Sequence, residues 1–248
     1  ETREIYQSLL PALSEYYTQI GQHKPLYQTY QHLADSQAFN QLSAAQQSAI
    51  KLGLRDFKLS GVALEGAAKQ RYAEISARLS QLASDFSNHV LDATQAYFKP
   101  LTEAQLKGLP DSSIALLKQY GQQRELEQPV ATLDFPSYLA IMTYAQDRAL
   151  REELYKAYTT RASEQSEHTE FDNSEIMQEI LSLRQEMAQL LGFENYAAYS
   201  LASKMAPNVQ TVFDFLNELA EHARTPALQE IAELKAIAQQ DGIEELQP

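Results

Sequence analysis

The sequence contains no cysteine and no tryptophan, and only 8 of its 248 residues are glycine. Without cysteine, neither a disulfide framework nor a thiolate metal site can form. Scarce glycine, together with abundant Ala, Gln, Leu and Glu, favours helices over a sheet-rich fold. We therefore predict an all-α protein, a multi-helix bundle-like body.

Basic residues are also few, with 20 Lys and Arg against 33 Asp and Glu, for a net charge of −13. An acidic chain repels phosphate backbones and anionic lipid surfaces, which argues against nucleic-acid or membrane binding. No apolar run approaches the length that spans a bilayer. The start at Glu1–Ile5 has no apolar signal core. The charge and the apolar pattern predict a protein that binds neither nucleic acid nor membrane. Both ends look cut from a longer protein, so localisation signals could lie outside the chain, and we expect a cytoplasmic location.

Helical periodicity is clearest over residues 65–95. Apolar residues recur there at alternating steps of three and four, which places them on one stripe of a long helix. The stripe comprises Tyr72, Ile75, Leu79, Leu82, Phe86 and Val90. Two earlier helices are predicted at residues 2–20, where Pro11 kinks or divides the helix, and 43–60, with Ser43 and Gln46 as a capping box.

Three more helices are predicted towards the end of the chain. One follows Asp172, which has capping-box spacing to Glu175, and ends at Gly192 in a left-handed cap. The next follows Asn208, and the chain restarts as a separate helix at Thr225-Pro226 that ends near Asp241-Gly242. The inward residues of the helix after Asn208 are predicted to be Val209, Val212, Leu216, Leu219 and Ala223.

The exception to helix lies in residues 97–138. Tyr97–Leu101 and Val130–Phe135 are short, aromatic or β-branched, and bounded by proline. They predict a small antiparallel β-ribbon, with a helix at residues 111–124 between the two strands. A domain boundary at residues 135–144 is an alternative to a single domain over 1–248.

Local clusters of chemically competent residues are sparse. Asp85, His89 and Asp92 share a helix face, and Glu164 and His168 are four residues apart, but solvated faces and loops explain both. Ser48-x-x-Lys51 has the outline of a serine nucleophile with a lysine, without its companion motifs. The sequence therefore assigns no catalytic residue and no metal ligand, and leaves the substrate-binding residues unknown.

Fourteen tyrosines and several arginines are the other candidates. Tyrosine can line a peptide channel, but packing at the edge of a core is the commoner role. The tyrosines weighed are Tyr6, Tyr16, Tyr17, Tyr138, Tyr144, Tyr155 and Tyr158. Arg151, Arg161 and Arg184 could bind a peptide carboxylate. Arg184 interrupts an apolar helix face, so for it we predict burial in an internal ion pair.

A family resemblance rests on residues 129–205. It is carried by LDFPSY at 133–138, ALREELYKAYTTR at 149–161, ILSLR at 180–184 and LLGFENY at 190–196. These segments resemble the thimet oligopeptidase family of zinc metallopeptidases, in particular its bacterial oligopeptidase A branch. The resemblance covers nearly the whole chain and implies a helical body split by a deep channel that admits short, unfolded peptides.

The chemistry that the resemblance implies is zinc-dependent endopeptidic hydrolysis. A His-Glu-x-x-His helix would hold the metal and activate water, and the chain contains none. We therefore expect residues 1–248 to be the N-terminal helical part of a larger peptidase, without zinc and inactive alone. The catalytic zinc part would follow Pro248. Dimerisation through surface exposed by truncation is expected, and the alternative is a non-catalytic helical scaffold that binds a partner protein or peptide.

Overall fold

The computed structural model describes residues 2–246 and confirms the all-α prediction. Its helices are α1 (Thr2–Gly21), α2 (Lys24–Ala34), α3 (Ala44–Leu59), α4 (Gly66–Ala96), α5 (Asp111–Gln122), α6 (Phe135–Tyr144), α7 (Arg148–Thr160), α8 (Ser174–Leu190), α9 (Tyr196–Leu201) and α10 (Val209–Gln240). Short 3₁₀ helices occupy Gln37–Gln41 and Thr169–Phe171. The strands are β1 (Phe98–Pro100) and β2 (Val130–Thr132).

The predicted β-ribbon is confirmed. β1 and β2 pair antiparallel, with Phe98 opposite Thr132 and Pro100 opposite Val130. All three residues of β2 are buried, whereas Phe98 is exposed at the edge. The ribbon lies against α5 and α6, so it anchors the loops that lead into both helices.

Helix caps are partly as predicted. Ser43 forms the capping box with Gln46 at the start of α3, and Gly192 has the left-handed φ of 81° that a helix end requires. The capping box at Asp172 is wrong: its carboxylate accepts a hydrogen bond from the amide of Ser174 at 2.9 Å. The side chain thus closes a two-residue turn ahead of α8 and does not reach the amide of Glu175.

Two prolines lie inside helices. Pro11 lies within α1, which is not divided, and Pro226 lies within α10. The prediction of a separate helix from Pro226 is therefore wrong. A proline inside a helix removes one amide donor and crowds the preceding turn. Ala, Leu and Glu on both sides of Pro226 have strong helix propensity, and the helix continues through it.

The chain forms two compact units. The first comprises Glu1–Ile20 with Glu65–Glu186, and the second Gly21–Leu64 with Met187–Pro248. The core of the first unit is an aliphatic cluster built by the β-ribbon, α5, α6 and α7. Its buried members include Leu101, Leu106, Leu117, Ile141, Leu150 and Leu154. The alternative boundary at residues 135–144 coincides with α6, inside this unit.

The long helix α4 lies in the first unit and carries the predicted apolar stripe. Tyr72, Ile75 and Leu82 of the predicted stripe are buried. Beside this stripe, one turn before Ile75 and Leu82, guanidinium groups bind carboxylates in parallel pairs of hydrogen bonds, Arg71 to Glu186 and Arg78 to Glu179 on α8. Arginine–carboxylate pairs of this geometry fix the relative register of two helices as well as binding them.

The second unit is built around α2, α3 and the turn after α3. The ring of Phe57 lies edge-on to those of Tyr27 and Tyr30, with centroids 6.0 and 5.7 Å apart. Tyr199 donates its hydroxyl to the carbonyl of Leu59 at 3.4 Å. These contacts tie α9 to the end of α3 within this unit.

The predicted burial of apolar residues in α10 is wrong for Leu216 and Leu219. Leu216 and Leu219 are 52% and 50% exposed, and only Ala238 is buried in the whole helix. The apolar spacing is nevertheless regular. We call the following set the α10 stripe: Phe213, Leu216, Ala220, Ala223, Ala227, Ile231 and Leu234. Of these residues only Leu216 and Ala223 belong to the predicted inward set, and no described element covers the stripe.

Candidate functional site

The predicted acidic-histidine face of α4 does not form a metal centre. Asp85 accepts a hydrogen bond from Gln81, and both oxygens of Asp92 accept hydrogen bonds from Arg3 at 2.7 and 2.8 Å. The hydrogen bond from Arg3 lowers the pKa of the Asp92 carboxyl. His89 keeps a buried Nδ1 without a hydrogen-bond partner among residues 2–246. Both carboxylates are therefore engaged elsewhere.

Glu164 and His168 lie in the turn-rich segment between α7 and α8, as predicted. Glu164 accepts a hydrogen bond from the hydroxyl of Ser174, while His168 Nδ1 lies 3.4 Å from Glu170. Each side chain thus has its own partner, and the two do not act as a pair.

Ser48 and Lys51 are both exposed on α3. The ammonium of Lys51 lies 5.8 Å from the centroid of the Phe39 ring, a cation–π contact. A nucleophilic serine needs a base within hydrogen-bond reach. Among the hydrogen bonds of the described residues, none joins Ser48 to Lys51.

The tyrosines separate into two groups. Tyr6, Tyr16 and Tyr17 are 55–68% exposed on α1. Tyr138 and Tyr158 stack face to face, with centroids 4.0 Å apart and planes 15° apart. Burial, with the neighbouring Tyr155 and Tyr158, raises the pKa of Tyr138. The second group therefore packs between α6 and α7, the commoner of the two predicted roles.

The arginines differ from the prediction in one respect. Arg184 in α8 is exposed, so its predicted burial is wrong. Arg151 donates to the carbonyl of Ala145. Arg161 stacks on Tyr158, with its guanidinium carbon 3.9 Å from the ring centroid, and donates from Nη1 to the Tyr158 carbonyl at 2.6 Å.

Arg161 lines a cavity of about 300 Å³ in the first unit. The cavity lies between the end of α4, the residue after β2, α7 and the segment 165–168. Its apolar wall is Ala93, Leu133 and Ala157, of which the first two are buried. We call this feature the α4–α7 cavity.

Charged groups surround the apolar wall of the α4–α7 cavity. Glu153 accepts hydrogen bonds from Lys99 at 2.7 and 2.8 Å and from the hydroxyl of Tyr97 at 3.3 Å. Burial raises the pKa of Tyr97, and the charges of Glu153 and Glu167 raise it further. The hydroxyl therefore stays protonated and available as a donor.

A residue with a strained backbone, Ala162, directly follows Arg161 in the chain. Ala162 has a φ of 55°, in the left-handed region that alanine rarely adopts. Its side chain is buried, and its carbonyl accepts the amide of Asn173 at 3.1 Å. Such strain persists only when the surroundings hold it and is concentrated at functional sites. Sequence reasoning missed this residue and also Tyr97 and Glu167, because no local pattern marks a cavity assembled from separate elements.

Acidic and histidine side chains are the candidate metal ligands of this chain. Within residues 2–246, no group of three or more His, Asp or Glu side chains could hold a metal ion. The same part of the chain holds no helix with the length and apolar character needed to cross a membrane. The described residues thus do not match the ligand set of a zinc peptidase, two histidines and a third ligand.

Comparisons with known proteins, by family models and by individual relatives, agree on one protein family. The model described as "Neurolysin/Thimet oligopeptidase, N-terminal domain" matches residues 1–69, and "Peptidase family M3" matches residues 141–248. Oligopeptidase A of Escherichia coli (strain K12) is 51% identical over 251 residues, which cover 100% of this chain and 37% of that protein. Probable cytosolic oligopeptidase A of Arabidopsis thaliana is 37% identical over 253 residues, 99% of this chain and 35% of that protein.

A more distant relative is named for a different activity. Dipeptidyl carboxypeptidase of Escherichia coli (strain K12) is 30% identical over 186 residues, 73% of this chain and 26% of that protein. The chain spans little more than a third of the length of the oligopeptidases A that it matches end to end. Two family matches at opposite ends, with half of all positions identical across the whole chain, confirm the resemblance seen in the sequence. The chain belongs to peptidase family M3.

Proposed function

We propose that this chain is the N-terminal helical channel wall of a zinc metallo-oligopeptidase that hydrolyses short, unfolded peptides. The observation that carries the proposal is the 51% identity to oligopeptidase A across the entire chain. Identity at that level over residues that include both surface and core supports a shared body. The segment contributes shape and access to the channel, and it is inactive by itself.

The zinc site of this proposal lies in sequence after Pro248. The described histidines and acids do not assemble a metal-binding group, and the carboxylates on the best predicted face are bound to Gln81 and Arg3. Zinc, when bound in the intact enzyme, polarises a carbonyl and activates water. Residues of this chain hold no reacting atom in that chemistry; they shape the wall along which a peptide passes.

The exposed α10 stripe supports a larger parent protein. Exposed apolar patches of this extent mark surfaces that another element covers. In the intact peptidase we propose that later sequence covers the stripe. In the isolated segment we propose that a second copy does so, because residues spaced at three and four along one helix are self-complementary when two copies pair.

We also propose a cytoplasmic location and short peptides as the only partners of the intact enzyme. The Arabidopsis relative is named a probable cytosolic oligopeptidase A, and another relative from the same plant is named organellar. The net charge of −13 argues against nucleic acid and anionic membranes as partners. Fractionation of the producing cells, followed by detection of this chain in the soluble cytoplasmic fraction, tests the location.

The activity test compares the segment with the intact protein. Residues 1–248 and the product of the whole gene are each purified and incubated with zinc and a quenched nonapeptide. We expect cleavage by the intact protein, loss of cleavage on chelation, and none by the segment. Cleavage by the segment that survives further purification contradicts the assignment. An intact protein that binds the peptide without cleaving it favours the helical scaffold, for which the exposed stripe is the specific support.

A further inference from the structure

The proposed function assigns no role to the α4–α7 cavity. Its volume of about 300 Å³ is at the lower end of small-molecule sites, which span roughly 300–1,000 Å³. Three of its twelve lining residues are apolar and nine carry polar side-chain atoms, so apolar surface and polar groups occur together, as they do in ligand sites. A ligand of this site is therefore small and carries both apolar and polar parts.

Two of the four Lys, Arg and Glu side chains that line the cavity are already held in ion pairs. The carboxylate of Glu153 is bound by Lys99, and the ammonium of Lys156 is bound by Glu152. A group held in an ion pair contributes little further attraction to a ligand. The charges of Glu153 and Lys156 are therefore not assigned to the ligand.

Two other charged side chains of opposite sign, Arg161 and Glu167, line the cavity without an ion pair among residues 2–246. Arg161 is half-buried, and its hydrogen bond goes to a carbonyl, so no carboxylate of the described residues neutralises it. Glu167 is exposed and also has no cationic partner among residues 2–246, and its charge raises the pKa of Tyr97, which lines the same cavity. One cavity thus presents a cation and an anion that lack protein counter-charges.

The cation is also held in place. Its stack on Tyr158 and its bond to the Tyr158 carbonyl fix the guanidinium, and the strained Ala162 follows it directly. A pre-organised guanidinium loses little conformational freedom when it binds a carboxylate, and its planar fork matches the carboxylate oxygens.

We propose that the α4–α7 cavity binds a free α-amino acid with an apolar side chain. The carboxylate of the amino acid binds Arg161, its ammonium binds Glu167, and its side chain lies on Ala93, Leu133 and Ala157. This inference goes beyond the proposed function, because it needs neither zinc nor any residue outside this chain.

The first test uses ligand analogues and no substitution. The full 248-residue chain is titrated with L-leucine, N-acetyl-L-leucine and L-leucinamide by calorimetry. L-Leucine is expected to bind saturably, and the two analogues, each lacking one charge, to bind roughly tenfold or more weakly. No saturable signal with L-leucine, or equal affinity for all three compounds, overturns the proposal.

The second test uses matched variants. Arg161→Gln and Glu167→Gln are each expected to weaken L-leucine binding roughly tenfold. Lys156→Gln, on the same cavity but with its charge directed to Glu152, is expected to leave it unchanged. Circular dichroism checks that each variant is folded. Equal binding by all three variants contradicts the assigned contacts. Because no peptidase assay is involved, the result does not depend on the proposed function.

Discussion

Arg78 on α4 and Glu179 on α8 form two parallel hydrogen bonds of 2.6 and 2.7 Å across 101 positions of sequence. Two turns away, Arg71 and Glu186 repeat the geometry at 2.6 and 2.7 Å. The two pairs align the helices at two separate levels. Both pairs are partly exposed, so solvent reduces their contribution to stability.

These pairs predict how stability depends on pH. The hydrogen bonds from Arg78 and Arg71 lower the pKa values of Glu179 and Glu186 from the usual 4.5 in the folded state. The folded state therefore binds fewer protons than the unfolded chain below that value. The stabilisation is complete above pH 4.5 and is lost as pH falls through the lowered pKa values.

We expect the urea midpoint of unfolding to fall from about pH 5 to about pH 3 in the natural chain. The double variant Arg71→Gln, Arg78→Gln should begin with a lower midpoint and decline less over the same range. The measurement is urea unfolding followed by circular dichroism at several pH values. Parallel declines in the two proteins would show that other carboxylates dominate the acid response.

Gly108 predicts a second measurable effect. Its φ is 91°, and a Cβ at this position would lie 2.3 Å from the carbonyl oxygen of Tyr144, which is backbone and cannot move aside. Gly108→Ala therefore combines left-handed strain with a steric clash, and we expect a loss of about 2–3 kcal/mol in the free energy of unfolding.

Gly192→Ala is the matched control for Gly108→Ala. Gly192 also has a positive φ, of 81°, but its Cβ would meet no atom within 4 Å. Only the conformational strain remains, for which the expected cost is about 1–2 kcal/mol. Equal losses in the two variants, measured by urea unfolding, would mean that the clash at Gly108 is relieved.

The capping box of α3 gives a third prediction. The amide of Gln46 donates to the Ser43 hydroxyl at 3.3 Å, and the Ser43 amide donates to the Gln46 side chain at 3.0 Å. Ser43→Ala removes the first bond, and we expect a loss of about 1 kcal/mol in the free energy of unfolding. Ser87→Ala is the control, at an exposed interior position of α4. Because alanine has the higher helix propensity, we expect no loss in the free energy of unfolding. A neutral Ser43→Ala variant would contradict the cap.

The α10 stripe gives a fourth prediction, on self-association. If a second copy covers the stripe, the double variant Leu216→Glu, Leu234→Glu should sediment as a monomer where the natural segment forms dimers. Carboxylates on that face repel each other and remove apolar area from the contact. The measurement is sedimentation velocity at several concentrations.

Leu228→Glu is the control for the stripe. Leu228 is 59% exposed, comparable with Leu216 at 52% and Leu234 at 54%, but it lies off the stripe on the same helix. It should leave dimers intact. A natural segment that is monomeric at every concentration, or dimers lost equally in Leu228→Glu, contradicts pairing through this face.

Local patterns predicted most elements. The spacing of Tyr72, Ile75 and Leu82 indicated α4, and the proline-bounded apolar runs indicated both strands, because periodicity and turn residues act within a few positions. The errors arose where local preferences competed. Pro226 favoured a helix start by propensity but lies within a continuous helix, and Asp172 caps a turn two residues away rather than the helix three residues away.

The candidate site could not be predicted in the same way. Tyr97, Arg161 and Glu167 come from three separate segments, and what distinguishes Arg161 and Glu167 is that neither has a counter-charge within the described residues 2–246. Sequence shows that a residue is charged, but only the folded chain shows which charges have neutralised one another. For the same reason Arg184 was predicted to be buried and is exposed.

The order of amino acids by itself determined that this protein is helical, acidic and similar to a peptidase family, because helix propensity, net charge and short family-like segments do not depend on how the chain packs. Tertiary structure alone decided which apolar stripe is buried. The stripe of α4 and the stripe of α10 have the same three-four spacing, yet one lies in a core and the other is open to water. Burial depends on what packs against a face, and that partner is set by contacts distant in sequence.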